Sequence, residues 1–325
     1  MGIITDIQQI NRQQWQALVE SSPTASWFQT PDAYDFYASL PEMMMPFVVA
    51  VTGERLRAVC VGFVTKEKSA IKQFFTSRAI IYGGPLLAAD ISDKEVKALL
   101  TEIKHLLRKK AIYVETRNLV ELDAWNECFE AVGFVHKPHY DMHVDCSNRE
   151  RMVSLVHDSK MRQIRKAKKD GVTISEGTTP EDVHDYYVLL RRLYRNKVRR
   201  PLFAEAFFQR FVADKRGILL VAKQNGAVIG GILCPLMADK VLYEWYIVGP
   251  AIVTWAAMEY ANMHNLPLFD LLGAGEPDKP YGVRDFKQQF GGVIVKRGRY
   301  LLVNNKLLYS LGEFVVKNIL DKRPL

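Results

Sequence analysis

The alternation of apolar and polar positions divides the chain into short strands and amphipathic helices. Residues 46–51 and 56–64 are rich in Val and Phe, which predicts two strands. Ile91 to Lys110 carries apolar residues at helical spacing and predicts a helix. Two earlier helices are predicted, one around Trp15 and one that begins at Pro31, and further elements are predicted at 79–82, 111–115, 124–132 and 140–144. Strands and helices in this order are typical of a self-contained α/β domain.

The second half shows the same succession of elements, although its residues are not obviously repeated. It begins with a helical pattern at 148–170 that ends at Gly171. Further helices are predicted from Pro180 to Tyr194 and at 204–212, 252–262 and 307–319, and strands at 217–222, 227–236, 241–248 and 268–272. The 325 residues also favour two domains.

We therefore predict an α/β (α+β) fold of two tandem domains, each with a mixed sheet flanked by helices. The first domain is expected at 1–147 and the second at 148–304, with the C-terminal helix 305–325 packing back on the first. One junction is unusual, because only Gly249, Pro250 and Ala251 separate a strand from a helix. This junction is either an unusually tight turn or the place of a missing connector, and we favour the missing connector.

Composition excludes several classes of protein. Hydrophobic residues make up 48% and charged residues 25%, an ordinary globular mix. Neither a membrane-spanning run nor a secretory signal pattern is visible, so we expect a cytoplasmic protein. The 4 cysteines form no Cys-x-x-Cys pair, and we expect no disulfide scaffold, structural metal or cofactor.

The net charge of +8 is concentrated in two segments. Residues 160–170 and 191–200 each hold six basic side chains, and the rest of the chain has 32 basic and 35 acidic residues. Charge runs are often no more than solvated helix faces. Two blocks of one sign in the same half favour an anion site instead, with phosphate as the natural partner.

Residues 269–292, FDLLGAGEPDKPYGVRDFKQQFGG, form the densest motif. Their glycines and prolines predict a rigid loop after a strand, and a short helix follows with Phe286 and Lys287. An ammonium group beside buried rings could stabilise an oxyanion on an acyl carbonyl. The alternative is a turn that packs two strands, with Lys287 reaching water.

Two other segments carry acidic residues or histidines in suggestive places. The strand VLYEWYIV holds Glu244 at its centre, where an acid is costly to bury without a partner, which favours a cleft wall. His139, Asp141, His143 and Asp145 would line one face of a strand. We interpret that alternation as a half-exposed strand and not as a metal site.

Several of these segments together resemble the FemAB-like (Fem/methicillin-resistance-protein) aminoacyltransferases. The resemblance rests on WFQTPDAYDFY, YGGPLL, the basic helix KMRQIRKAKKDG, YEWY and residues 269–292. It implies two GNAT-type domains and transfer of an amino acid from aminoacyl-tRNA to the amine of a UDP- or lipid-linked muropeptide. Contact with a membrane surface is compatible with a lipid-linked acceptor. The coiled-coil arm that the family often has is absent from this sequence.

The resemblance also implies roles for individual residues. Lys287, with Phe286, is similar to the residue that stabilises the tetrahedral intermediate. The substrate site is expected to include Arg199, Arg200, Phe203, Tyr34 and Tyr246 or Tyr243. The basic helix with Lys160, Arg162, Arg165 and Lys166 resembles the helix that opens the second domain, and we expect it to bind tRNA or other phosphates.

Two further hypotheses stay open. The first is a GNAT-type N-acyltransferase that uses acyl-CoA on a sugar or cell-envelope amine. Its glycine-rich pyrophosphate turn would fall at residues 249–251, which lack the Arg-x-x-Gly-x-Gly pattern. The second is a module that binds RNA or muropeptide without catalysis.

Overall fold

The computed structural model describes residues 1–315 and divides the chain into two compact units. Met1–Pro138 and, among the described residues, 297–315 form the first unit, and His139–Lys296 form the second. Each unit has a mixed sheet flanked by helices, which confirms the predicted fold class. Residues 316–325, which include the end of the predicted C-terminal helix, lie outside the described residues.

The chain enters the first unit with helices and strands close to those predicted. In chain order they are β1 (Gly2–Ile4), α1 (Arg12–Ser21), α2 (Pro31–Ala38), β2 (Met44–Thr52), β3 (Leu56–Thr65), α3 (Ala70–Thr76), β4 (Arg78–Gly83), β5 (Leu86–Leu87), α4 (Asp93–Leu107), β6 (Tyr113–Asn118), α5 (Asn126–Val132) and β7 (Val135–Lys137).

Most of the other elements belong to the second unit, and the last two belong to the first unit. The second unit contains β8 (Tyr140–Asp145), α6 (Arg149–Leu155), α7 (Asp158–Lys169), β9 (Thr173–Glu176), α8 (Pro180–Leu193), α9 (Glu205–Ala213), β10 (Gly217–Gln224), β11 (Ala227–Met237), β12 (Val241–Tyr243), β13 (Tyr246–Val248), α10 (Ala251–Met263), β14 (Leu268–Gly273), α11 (Gly282–Gln288) and β15 (Val293–Lys296). The first unit regains β16 (Arg299–Val303) and α12 (Lys306–Val315).

The first sheet has the order β1-β2-β3-β4-β6-β16-β7, with β5 paired to β3. Helix α4 packs against it through an apolar face that includes Val96, Leu99 and Ile103. The helix begins where Ser92 and Glu95 cap each other's backbone N–H groups. These local signals explain why the helical spacing at 91–110 predicted this element correctly.

Two strands lie in a different unit from the one expected. Strand β8, expected in the domain 1–147, pairs with β14 and β15 of the second sheet. Strand β16, expected in the domain 148–304, lies between β6 and β7 of the first sheet. The division thus falls at Pro138 and not at residue 147, because strand pairing joins residues far apart in sequence.

The last helix of the described chain packs on the first unit, as expected. The Tyr309 ring of α12 meets Tyr113 edge to face at 5.3 Å. No helix among the described residues combines the length and the apolar character that crossing a membrane would require.

The second sheet has the order β15-β8-β14-β12-β11-β10-β9, with β13 paired to β11. The predicted strand 241–248 is interrupted at its centre. Glu244 N–H still donates to Asp270 of β14 at 2.8 Å, whereas the next residue, Trp245, donates to Leu233 of β11 at 3.0 Å. From that point β13 follows β11, so β13 and β14 separate after Glu244.

A tight turn joins β13 to α10. Gly249 adopts a φ of 114°, which favours glycine, and a Cβ on it would lie 2.6 Å from Gly230 Cα. The residues present thus join β13 to α10 in a tight turn. The expectation of a missing connector stays a prediction. The predicted helix 148–170 is likewise divided into α6 and α7, since Val156 is extended.

Candidate active site

The loop after β14 is tied to the start of β8 by backbone hydrogen bonds. Ala274 N–H donates to Tyr140 O at 2.6 Å, and Tyr140 N–H donates to Gly275 O at 2.8 Å. The Arg284 guanidinium donates to Ala274 O at 2.8 Å and to Glu276 O, and it lies 5.1 Å from the centre of the Tyr140 ring. The glycine- and proline-rich sequence thus forms an anchored loop, as the motif predicted.

The side chain of Lys287, on α11, points into the interior of the second unit and is only 6% exposed. Its ammonium group donates to Leu271 O, lies 3.1 Å from Gly273 O and lies 3.3 Å from Glu244 Oε1. Strand β14 bulges here, between Asp270 and Gly273. The ammonium group supplies hydrogen bonds to the carbonyl groups of the bulge. The interpretation that this side chain reaches water is therefore wrong.

Glu244 is the counter-charge of this ammonium and is itself 7% exposed. Burial raises the pKa of Glu244, and the Lys287 ammonium opposes that increase. Asp270, 2% exposed, adds a second acid that raises the pKa further. The buried Lys287–Glu244 pair, with Asp270 as a second acid beside it, lies where β13 leaves β14. An acid with a perturbed pKa in such a place is typical of functional sites.

Asp270 connects the pair to a histidine on the neighbouring strand. Its Oδ1 accepts from Leu272 N–H at 2.7 Å, and its Oδ2 lies 3.5 Å from His143 Nε2. Sequence analysis had interpreted His143 as part of a half-exposed strand and had not singled out Asp270. The signal in the sequence that could have identified Asp270 is an acidic residue within an otherwise apolar strand. Among the described residues no group of three or more His, Cys, Asp or Glu side chains could hold a metal ion.

Lys160 of α7 packs against the aromatic ring of Phe286 on α11. Lys160 of α7 is 8% exposed, and its ammonium group lies 4.4 Å from the centre of the Phe286 ring. Burial lowers the pKa of Lys160. The sequence placed Lys160 with the exposed phosphate-binding residues of its helix, whereas the structure points it inward against an aromatic ring. Arg162, Arg165 and Lys166 are exposed, as expected.

Two of the aromatic residues proposed for the substrate site, Phe203 and Tyr246, belong to one cluster. Phe203 stacks on Phe207 at 4.7 Å, and Phe207 lies 5.8 Å from Tyr246. Tyr246 lies 6.2 Å from Tyr194, and its carbonyl oxygen accepts from the Tyr186 hydroxyl at 2.9 Å. Tyr246 therefore belongs to this aromatic cluster and directly follows Trp245 in the chain.

The remaining predicted residues lie at three separate places. Arg199, in the left-handed conformation at φ 53°, ends a π-helical turn at Tyr194–Val198 and is half-buried, while Arg200 is exposed. The Tyr243 hydroxyl lies 3.7 Å from Met237 Sδ inside the second unit. Tyr34 is on α2 of the first unit, half-buried, and burial raises its pKa.

Comparison with protein families bears directly on this part of the chain. Residues 242–317 match the model of the FemAB family. The predicted resemblance to this family is confirmed. The FemAB segment begins at β12 and contains Glu244, Asp270 and Lys287, so the match covers the buried ion pair and the loop beside it. It also supports the prediction that the chain is an acyltransferase. No curated protein matches the sequence.

Solved structures show the same fold over nearly the whole chain. "Crystal structure of FemX" matches with a TM-score of 0.70 and 16% identity, covering 96% of this chain and 99% of that one. A tandem GNAT protein from the clavulanic acid biosynthesis pathway matches at 0.60 and 13%, covering 93% and 98%. L-PGS from Bacillus licheniformis matches at 0.58 and 12%, covering 96% and 98%. At these identities the likeness establishes the fold alone.

The buried Lys287–Glu244 pair leads to a prediction about the free energy of unfolding. We expect Lys287→Met to lower the free energy of unfolding by about 3–5 kcal/mol at neutral pH, because it leaves the Glu244 carboxylate buried without its counter-charge. Without the ammonium group the already raised pKa of Glu244 rises further. The deficit therefore grows as pH rises above the folded-state pKa of Glu244, which itself lies above the ordinary carboxyl value of about 4.3. Urea unfolding at several pH values measures it.

Two companion variants interpret that result. Adding Glu244→Gln to Lys287→Met should recover the part of the deficit that depends on pH. Lys166→Met is the matched control, since Lys166 forms an exposed pair with Asp170 at 2.5 Å and should cost at most about 0.5 kcal/mol. A deficit that is the same at every pH would show that no charged carboxylate is paired with Lys287.

Proposed function

We propose that this protein transfers an amino acid from aminoacyl-tRNA to the amine of a peptidoglycan precursor, either UDP-linked or lipid-linked. The observation that carries the proposal is the FemAB-matching segment, because a buried Lys287–Glu244 pair lies within it where β13 and β14 part. Aminoacyl transfer in cell-wall or envelope synthesis is the broader activity that the family match supports.

The proposed reaction does not require the protein to form a covalent intermediate. The acceptor amine attacks the ester carbonyl carbon, and the carbonyl oxygen takes up negative charge. The ester C–O bond to the tRNA ribose then breaks, and the proton of the amine passes to the ribose oxygen through a substrate hydroxyl. The ester is already activated, so positioning and charge stabilisation suffice without a covalent nucleophile.

Lys287 is the group we assign to the charge that develops on the carbonyl oxygen. Its ammonium group contacts Gly273 O at 3.1 Å and Glu244 at 3.3 Å, and we propose that the oxyanion takes the place of one of these contacts. Burial strengthens the interaction because little water screens it. Phe286, held by the Lys160 ammonium, keeps the adjacent face of α11 apolar.

The exposed cations of the second unit supply phosphate sites for the two polyanionic substrates. Arg162, Arg165 and Lys166 are exposed on α7 and are proposed to contact tRNA phosphates. Arg199 and Arg200 follow the turn beside the aromatic cluster and are proposed to bind the acceptor's phosphates. The aromatic residues Phe203, Tyr243 and Tyr246 would flank the acceptor. Tyr34, in the first unit, is proposed separately as a contact for a nucleotide or sugar.

An acyl-CoA donor is the alternative with the same fold. GNAT domains usually hold pyrophosphate at the N-terminus of the helix that follows the turn, which here is α10. Its first residues Ala251, Ile252 and Val253 are only 6%, 2% and 1% exposed, and Gly249 packs on Gly230. Burial of this first turn, where Val253 N–H already donates to Pro250 O at 3.0 Å, favours the aminoacyl-tRNA donor over pyrophosphate binding.

One experiment separates the donors and tests the proposal. The protein is incubated with a mixed pool of charged tRNA and a UDP-muropeptide, and in parallel with acetyl-CoA and the same acceptor. Mass spectrometry of the acceptor should show the mass of one added amino acid in the first reaction only. An acetylated acceptor would favour the acyl-CoA alternative, and an unmodified acceptor that still binds would favour a binding module.

Lys287→Ala tests the oxyanion role. We expect kcat to fall by about 100-fold with little change in KM, since the lost interaction forms mainly in the transition state. The measurement is initial-rate kinetics on variant protein whose folding is checked by circular dichroism. An unchanged kcat in folded protein would leave Lys287 a purely structural role.

Arg199→Ala tests the acceptor site. We expect KM for the UDP-muropeptide to rise by about 10-fold while kcat changes little, because a phosphate contact is lost in ground and transition states alike. Arg210→Ala is the matched control, since Arg210 is an exposed arginine paired with Asp214 at 2.8 Å on the next helix. Equal KM values for the two variants would contradict a phosphate site at Arg199.

A further inference from the structure

Helix α3 of the first unit exposes an apolar face. Ile71, Phe74 and Phe75 follow the i, i+3, i+4 spacing of one helix face and are 74%, 60% and 49% exposed. Ordinary helices of a folded domain turn such a face toward the core. Three large apolar side chains exposed together on a helix therefore need an explanation beyond folding.

Helix α12 exposes a second apolar face and packs against α3. Leu307, Leu311 and Phe314 follow the i, i+4, i+7 spacing and are 80%, 49% and 60% exposed. The opposite side of the helix is anchored, since Tyr309 packs on Tyr113. The two helices lie together in one unit, so their exposed faces form an apolar patch of the kind that marks an interaction site.

Basic side chains surround this patch. Lys66, Lys68 and Lys110 line a recess of about 420 Å³ next to α3, and Lys72 lies on α3 itself. Lys306 begins α12. The acids within the two helices and the segment before α3 are Glu67, which pairs with Lys72 at 2.7 Å, and Glu313, which bonds Tyr309. The rim is therefore positive.

We propose that α3 and α12 dock this protein on the surface of an anionic lipid bilayer. We call the six exposed side chains the α3/α12 surface: Ile71, Phe74, Phe75, Leu307, Leu311 and Phe314. Apolar side chains that enter the boundary between headgroups and acyl chains, with lysines facing anionic lipids, are the two signals that together hold an interfacial helix.

The charge of the rim selects a lipid surface over a second copy of the chain. A symmetric dimer through the α3/α12 surface would bring the same lysines toward one another, whereas an anionic bilayer attracts them. The proposal does not rest on the proposed function, because lipid vesicles without acceptor or tRNA suffice to test it. Membrane docking would, in addition, place a lipid-linked acceptor within reach of the protein.

The test is sedimentation of the full chain with lipid vesicles. One set contains phosphatidylcholine with about one-third phosphatidylglycerol, and the other contains phosphatidylcholine alone. We expect binding to the anionic vesicles that weakens as salt shortens the screening length. Phe74→Ser with Phe75→Ser should lower the affinity by about 10-fold or more, because the apolar area that enters the bilayer is lost.

Charge variants test the second signal. Lys68→Glu with Lys110→Glu should lower the affinity for anionic vesicles by about 10-fold and abolish the difference between the two lipid compositions. Lys94→Glu with Lys137→Glu is the matched control in the same unit, since both lysines are exposed and Lys94 lies near the other end of α4 from Lys110. The control should bind like the unchanged protein.

Three results would overturn the proposal. The first is no binding to anionic vesicles, and the second is equal binding by the serine variant and the unchanged protein. The third is a dimer in sedimentation velocity that the serine substitutions dissociate, which would assign the α3/α12 surface to a second copy. All of the substituted side chains are exposed, so thermal unfolding midpoints should stay unchanged and confirm that lost binding is not lost folding.

Discussion

The arrangement of strands and helix in the second unit depends on how the buried ammonium group of Lys287 is stabilised. Moving a lysine and a glutamate out of water carries a large desolvation penalty, which only close opposite charge and hydrogen bonds can offset. Lys287 meets this condition with Glu244 on one side and the carbonyl groups of Leu271 and Gly273 on the other. The end of β12, the bulge of β14 and helix α11 are thereby joined at one positive charge.

The first unit solves a similar problem without charge. There β3 changes partner, from β4 at Phe63 to β5 at Val59. The Gln29 side chain fills the gap: its amide donates to Val61 O at 2.9 Å and to Tyr82 O at 2.6 Å, and its carbonyl accepts from Val61 N–H at 2.8 Å. A neutral amide satisfies these backbone groups as an ammonium group does, but it carries no positive charge, and its N–H groups are already bonded to backbone carbonyls.

This contrast separates scaffold from candidate chemistry. Both units split a sheet and satisfy the freed backbone groups with one buried side chain. In the second unit alone, that side chain is an ionised lysine with acids beside it, Glu244 and then Asp270, and the family match covers the same residues. The duplicated architecture therefore carries a charged site in one copy and a structural amide in the other.

Local patterns in the sequence were enough to predict most helices and strands. The apolar spacing at 91–110, the Ser92 cap and the glycine-rich loop after β14 each act within a few residues, so their outcome is readable from the chain itself. The choice of Lys287 likewise rested on one contiguous motif, and the resemblance to the FemAB family rested on five short segments, each readable by itself.

Only the tertiary structure decided which residues meet. It placed β8 in the second sheet and β16 in the first, because strand pairing joins residues that are far apart in sequence. It turned Lys160 inward against Phe286 while its neighbours on α7 stayed exposed, since only one face of that helix meets the core. It also brought Glu244 and Asp270 to Lys287, and long-range burial of charge has no local signature along a chain.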